Sequence, residues 1–239
     1  MTNASKKLST RQLKQRVLEL LRLPDLAESI ERICRYPHRR VVNPLFSFLY
    51  SLDETIHWRS VSAMGAVIAR LAEEELESAR VVMRRFIWNL NDESGGIGWG
   101  SPAAMGETLA LSARLAAEYS NILVSYIRPD GNYLEHEDLQ PGVLWGIGRL
   151  AYARPELALD AAPFLCPYLD SDRALLRGTA AWAAGALPLV ATRPRLEFLR
   201  EDSAEFRLYF DGRFYDIRMG AMVGKILADG GLRQPAPPA

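Results

Sequence analysis

Trp58-Arg59-Ser60-Val61-Ser62-Ala63-Met64-Gly65 returns 41 residues later as Trp99-Gly100-Ser101-Pro102-Ala103-Ala104-Met105-Gly106. A phrase that recurs at about 40 residues marks one supersecondary unit, and such a unit buries its apolar face only by stacking on its neighbours. The echo continues. Leu144-Trp145-Gly146 stands 40 residues after Ala104-Met105-Gly106, and Ala181-Trp182-Ala183 stands 37 residues beyond that. The pattern at 59–65 comes back at 218–224, 41 residues after Arg177, so five units are expected.

The apolar residues around these phrases keep a helical period: Val61, Met64, Ile68 and Leu71 in the first, Met105, Leu109 and Ala113 in the second. Each phrase therefore belongs to the second helix of a hairpin, with first helices expected at 42–52, 75–90, 115–126 and 155–169. Small residues at Ala63, Gly65, Ala104, Gly106, Gly146, Ala183 and Gly185 would let neighbouring helices approach closely. The fold class that follows is all-α, a solenoid of about five helical hairpins over 41–228. Residues 205–217 depart from it. They are two alternating segments joined by Asp211-Gly212, the signature of a β-hairpin inside the last repeat, placed to cover the exposed end of the stack.

Residues 1–40 carry ten Lys or Arg against four acids, which reads as a basic helical segment packed on the first repeat. Within it 9–22 is expected to be a helix that turns Val17, Leu18, Leu20 and Leu21 to the core. The tail 229–239 is rich in Gly and Pro without periodicity and is expected to be disordered. Over the whole chain of 239 residues the formal charge is zero, which removes a global electrostatic argument for nucleic acid or an anionic membrane. Cys34 and Cys166 lie far apart with no paired spacing, so neither a disulfide framework nor a zinc site is implied. No apolar stretch has the length of a membrane span, and the expected location is cytoplasmic.

The unit that begins Leu175-Leu176-Arg177-Gly178-Thr179-Ala180-Ala181-Trp182-Ala183-Ala184-Gly185, after a first helix ending Tyr168-Leu169-Asp170, resembles those of HEAT-like repeat proteins. The phrase from Asn91 to Glu107 is similar to one in a bacterial HEAT-like family. The resemblance implies an α-solenoid and carries no activity, because scaffolds of this type serve binding, assembly and a few enzymes.

Stacked hairpins align their turns along one edge, which gathers Asp53, Glu54 and His57, then Asp92 and Glu93, then Glu135, His136, Glu137 and Asp138, then Asp170 and Asp172. The densest turn, Asn91 to Pro102, adds Trp99 and four glycines within 95–100, and Ser101-Pro102 is a good N-cap and first-turn pair. Its glycines match neither a phosphate loop nor a dinucleotide fingerprint. Candidate partner-binding residues are Asp92, Glu93, Trp99, Trp58, His57, His136 and Glu137. No catalytic residue and no cofactor is assigned. HEAT-like hydroxylases hold two irons with several His-Glu pairs, whereas this chain has only His136-Glu137; Asp92, Glu93 and Glu137 form at most a loose divalent set.

Arg84, Arg85, Arg114, Arg149, Arg177 and Arg218, with Arg35, Arg39 and Arg40, would have to line a nucleic-acid face, but Arg59, Arg177 and Arg218 sit at equivalent repeat positions suited to bonding the preceding turn. The expected function is thus a non-enzymatic scaffold for a protein or peptide. A ligand- or metal-dependent enzyme centred on residues 91–102, and nucleic-acid binding, are the alternatives.

Overall fold

A computed structural model describes residues 8–91 and 98–231. Ser9 opens the first helix, α1 (Thr10–Leu21), with a capping box: its hydroxyl accepts from the Gln12 amide while the Gln12 side chain accepts from the Ser9 amide. Leu13, Val17, Leu20 and Leu21 are buried, and Leu18 is only half-buried. After Pro24, which lacks an amide donor, Asp25 caps a second short helix, α2 (Leu26–Ile33).

Five helix pairs follow. They are α3 (His38–Phe48) with α4 (Glu54–Glu74), α5 (Leu76–Asn91) with α6 (Ser101–Leu111), and α7 (Ala113–Ser125) with α8 (Gln140–Ala153). The fourth pairs residues 155–169 with α10 (Ala174–Ala184), and the fifth pairs α11 (Arg193–Leu199) with α12 (Met219–Asp229). The first member of the fourth pair differs from the single helix expected there. It is two 3₁₀ turns, Pro155–Leu157 and Leu159–Leu165, and a four-residue α9 (Cys166–Leu169). Pro163 and Pro167 each remove an amide donor from the interior, so no continuous i to i−4 ladder can run through the segment.

Helices α4, α6, α8 and α10 pack side by side as one layer, and α3, α5 and α7 lie behind them. Helix α6 has neighbours on every side and is buried from Ser101 to Ala110, which its uniformly small and apolar sequence allows. The small residues set the spacing: a Cβ at Gly106 would fall 2.2 Å from the Gly146 Cα, so α6 and α8 touch backbone to backbone. At the start of α6 the structure corrects the sequence reading. Gly100, in the left-handed region at φ 70°, is the N-cap, and Ser101 is already helical with its buried hydroxyl unpartnered.

The β-hairpin, β1 (Glu205–Phe210) and β2 (Arg213–Arg218), pairs Phe210 with Arg213 across Asp211 (φ 47°) and Gly212 (φ 79°), the two positive φ values of a type I′ turn. It does not cover the end of the stack. It lies over the α4–α10 layer, where Phe206 fills the notch at Gly178 of α10, Tyr209 stacks on Trp58 of α4, and Gly212 meets Leu26 of α2. Phe206 and Leu208 are buried on one face of the strand, and on the other face, beyond the exposed Glu205 and Arg207, Tyr209 is buried against α4. Among the described residues no helix is long and apolar enough to cross a membrane. The expected disordered tail falls, from 232 onward, outside the described residues.

Candidate interaction surfaces

Four of the sequence candidates meet at the turn edge. His57 donates its Nδ1–H to the Leu49 carbonyl at 2.7 Å, the role a carbonyl partner imposes, and burial pushes its pKa below the ordinary imidazole value. Its ring closes on Gly100, where a Cβ would come within 3.0 Å of Cε1. On the other side of this loop the half-buried Trp99 meets His136 edge-on, with ring centroids 5.8 Å apart. The end of the glycine-rich turn is thus bracketed by His57 and His136. Glu137 lies next along the chain from His136, with Arg173 at 3.6 Å.

The acidic row is largely engaged in structure. Asp53 caps α4, Glu54 pairs with Arg207 at 3.1 Å, Asp138 with Arg173 at 3.7 Å and Asp170 with Arg195 at 2.7 Å. Asp92 and Glu93 lie outside the described residues. Among the described residues no group of three or more His, Cys, Asp or Glu side chains gathers as a metal site would require. The third histidine, His38, is buried between Glu74 and the Cys34 carbonyl, away from this edge.

Trp58 leaves the edge for the inner layer. It stacks on Tyr209 (centroids 5.1 Å, planes 20° apart) and touches Trp145 at 4.9 Å, and Trp145 continues to Trp182 at 6.4 Å. Trp58, Trp145 and Trp182 therefore form one aromatic floor, and β1 lies on it. The Trp145 indole donates to the Tyr209 carbonyl at 2.7 Å, a side chain reading an extended backbone. The arginines of the phrase divide. Arg59 donates to the carbonyls of Leu21, Leu23 and Pro24, and Arg177 to those of Ser171 and Asp172, as expected for bonds to a preceding turn. Arg218 instead ends β2 and pairs across the hairpin with Glu205 at 3.8 Å.

Of the arginines considered for nucleic acid, Arg84, Arg114, Arg149, Arg177 and Arg218 each have a carboxylate within 4.0 Å, so they do not present a bare cationic face. Arg85 differs. Its guanidinium carbon sits 3.8 Å from the Phe46 ring centre, Nη1 donates to Asn43 Oδ1 at 2.6 Å, and no described carboxylate lies within 4.0 Å. Desolvation against α3 lowers its pKa. Val81 and Trp88 extend along the same face of α5, at 54% and 74% exposure, and Tyr50 at the end of α3 is 45% exposed. Exposed tryptophan and tyrosine around an uncommitted arginine is the composition that dominates binding energy at protein interfaces. The sequence offered a signal for it, Val81, Arg85 and Trp88 at spacings of four and three on one helix, which reads equally as a solvated face.

No family model matches the chain, and no curated protein matches it in sequence. Solved structures do. An engineered protein known from its crystal structure is 12% identical with a TM-score of 0.55, covering 96% of this chain and 94% of its own. Computationally designed armadillo repeat proteins for modular peptide recognition are 15% identical with a TM-score of 0.50, covering 92% of this chain and 100% of theirs. At such identities the likeness concerns fold alone, and with the five stacked helix pairs it places this chain among the helical repeat solenoids.

Proposed function

We propose that this chain is a HEAT-like interaction scaffold of the cytoplasm that binds a protein or peptide partner through its solenoid surface and performs no chemistry of its own. The observation that carries the reading is the α3–α5 face, where the exposed Arg85 lays its guanidinium on the Phe46 ring without gaining a carboxylate, beside exposed Val81, Trp88 and Tyr50. A partner carboxylate would pair with that guanidinium, and the aromatic side chains supply area at small entropic cost. The peptide recognition for which repeat proteins of this fold have been designed is compatible with the reading. The turn edge at Trp99, His57, His136 and Glu137 is the second contact surface we assign to the partner.

Tagged protein recovered from its host with its partners, compared across variants, tests this. Arg85→Glu with Trp88→Ala is expected to lose a partner that the parent retains, and Trp99→Ala with His136→Ala to weaken its recovery. Recovery of the same partners in the same amounts by all three proteins would overturn the proposal.

A further inference from the structure

A groove of about 280 Å³ runs between α3 and α5, with the buried Val42, Leu71 and Val82 as its floor, the exposed Val81 at its lip, and Arg39 and Arg85 beside it. This is below the roughly 300 to 1,000 Å³ of a site for a free small molecule, and it suits an inserted apolar side chain of a larger partner. The charges around the groove pair off with one exception. Glu75 takes Arg39 at 2.9 Å, which also donates to Ser78, and Glu77 takes Arg84 at 2.6 Å. Arg85 has no carboxylate among the described residues, which leaves the face one positive charge in excess.

That guanidinium is held from two sides. Nη1 donates to Asn43 Oδ1 at 2.6 Å, and the Phe46 ring lies under the group at 3.8 Å. Nε and Nη2 make no bond among the described residues, and this edge of the fork is one that receives a carboxylate at two points. Val81, Arg85 and Trp88 stand at i, i+4 and i+7 of α5, so their stripe is about 10 Å long and reads apolar, cationic, aromatic. Its complement is apolar, acidic, apolar over the same length. A helix places three such side chains on one face in two turns, whereas same-face side chains of a strand are roughly 6.6 Å apart and only two fit.

We propose that the α3–α5 groove binds an acidic amphipathic helix of the partner. One aliphatic side chain enters between Val42 and Val82, an Asp or Glu one turn away meets the Nε and Nη2 edge of Arg85, and a second apolar side chain covers Trp88. The inference rests on the scaffold reading and names the partner's chemistry at that face.

Selection of a displayed library of random peptides of about 16 residues, long enough to form a helix, on the full chain tests it, with the recovered peptides measured by fluorescence anisotropy. They are expected to carry Asp or Glu three or four residues from a large apolar residue, with a second apolar residue one turn beyond. Arg85→Glu should weaken their binding by about tenfold or more, and so should Lys in place of the peptide's acid. The Lys peptide should regain affinity on Arg85→Glu protein, a rescue that a misfolded variant could not give. No enrichment, recovered peptides without the acid, binding indifferent to Arg85→Glu, or no rescue by the charge swap would each overturn the proposal. If the native partner is still lost on Arg85→Glu with Trp88→Ala while the selection fails, the scaffold reading stands and the acidic helix falls; if the native partner is retained as well, both fall.

Discussion

Ser101 follows the left-handed Gly100 and is helical itself, so its buried hydroxyl has no partner where the sequence suggested a cap. A buried hydroxyl without a hydrogen bond carries a desolvation cost. Ser101→Ala should therefore leave stability unchanged or raise it by about 1 kcal/mol in urea titrations, whereas loss of a true cap would cost about 1 kcal/mol. His57 gives the opposite kind of test. Burial lowers its folded pKa below the unfolded value, so its contribution is complete above the unfolded pKa and is lost as pH falls through the window between the two. The parent should lose more stability than His57→Gln between pH 7.5 and 5, read by urea midpoints at each pH. Trp58 and Trp99 show the limit of reading at this scale. They hold the same place in the repeated phrase, yet one is stacked under Tyr209 and the other faces His136.

The hairpin was legible as an element because Asp211-Gly212 sits between alternating segments, and both residues take the positive φ that a type I′ turn demands. Gly212→Val should destabilise the protein by roughly 1–3 kcal/mol, because a side chain there is strained at φ 79° and its Cβ would lie 2.9 Å from Leu26. A lower urea midpoint with reduced near-UV dichroism of the Trp58–Tyr209–Trp145 cluster would report it. The repeat register places a single first helix at residues 155–169. Pro163 and Pro167, in the interior of that span, prevent it, since each deletes a bond the helix needs. The candidate site was half legible. Spacing along one edge brought His57, Trp99 and His136 together, but Arg85 lay hidden because a charge in sequence does not show whether a partner will reach it.

In an ordinary solenoid each repeat contacts only its neighbours and stability is close to a sum of local terms. Here the fifth unit sends a hairpin back to the first and to the α2 helix before it: Tyr209 to Trp58 and Ser62, Arg207 to Glu54, Gly212 to Leu26. These contacts join residues 147 to 186 positions apart and should make the whole stack unfold as one cooperative unit. Tyr209→Ala is expected to cost about 3–5 kcal/mol, as for other large buried aromatics, and to split the unfolding into two steps. Native-state hydrogen exchange would then show α1 to α4 opening before α8 and α10; a single transition at a lower midpoint would show that the hairpin adds stability without coupling the ends.

The number of units, the helical hairpins of all but the fourth, the close α6–α8 contact and the β-hairpin were determined by the sequence itself, because each rests on periodicity, on glycine where no Cβ fits, or on turn chemistry within a few residues. Where the hairpin lies, which tryptophans it covers, which arginines remain without a carboxylate and where a cleft opens were decided only in the tertiary structure. These depend on contacts between residues far apart in the chain, and no local pattern encodes the distance between them.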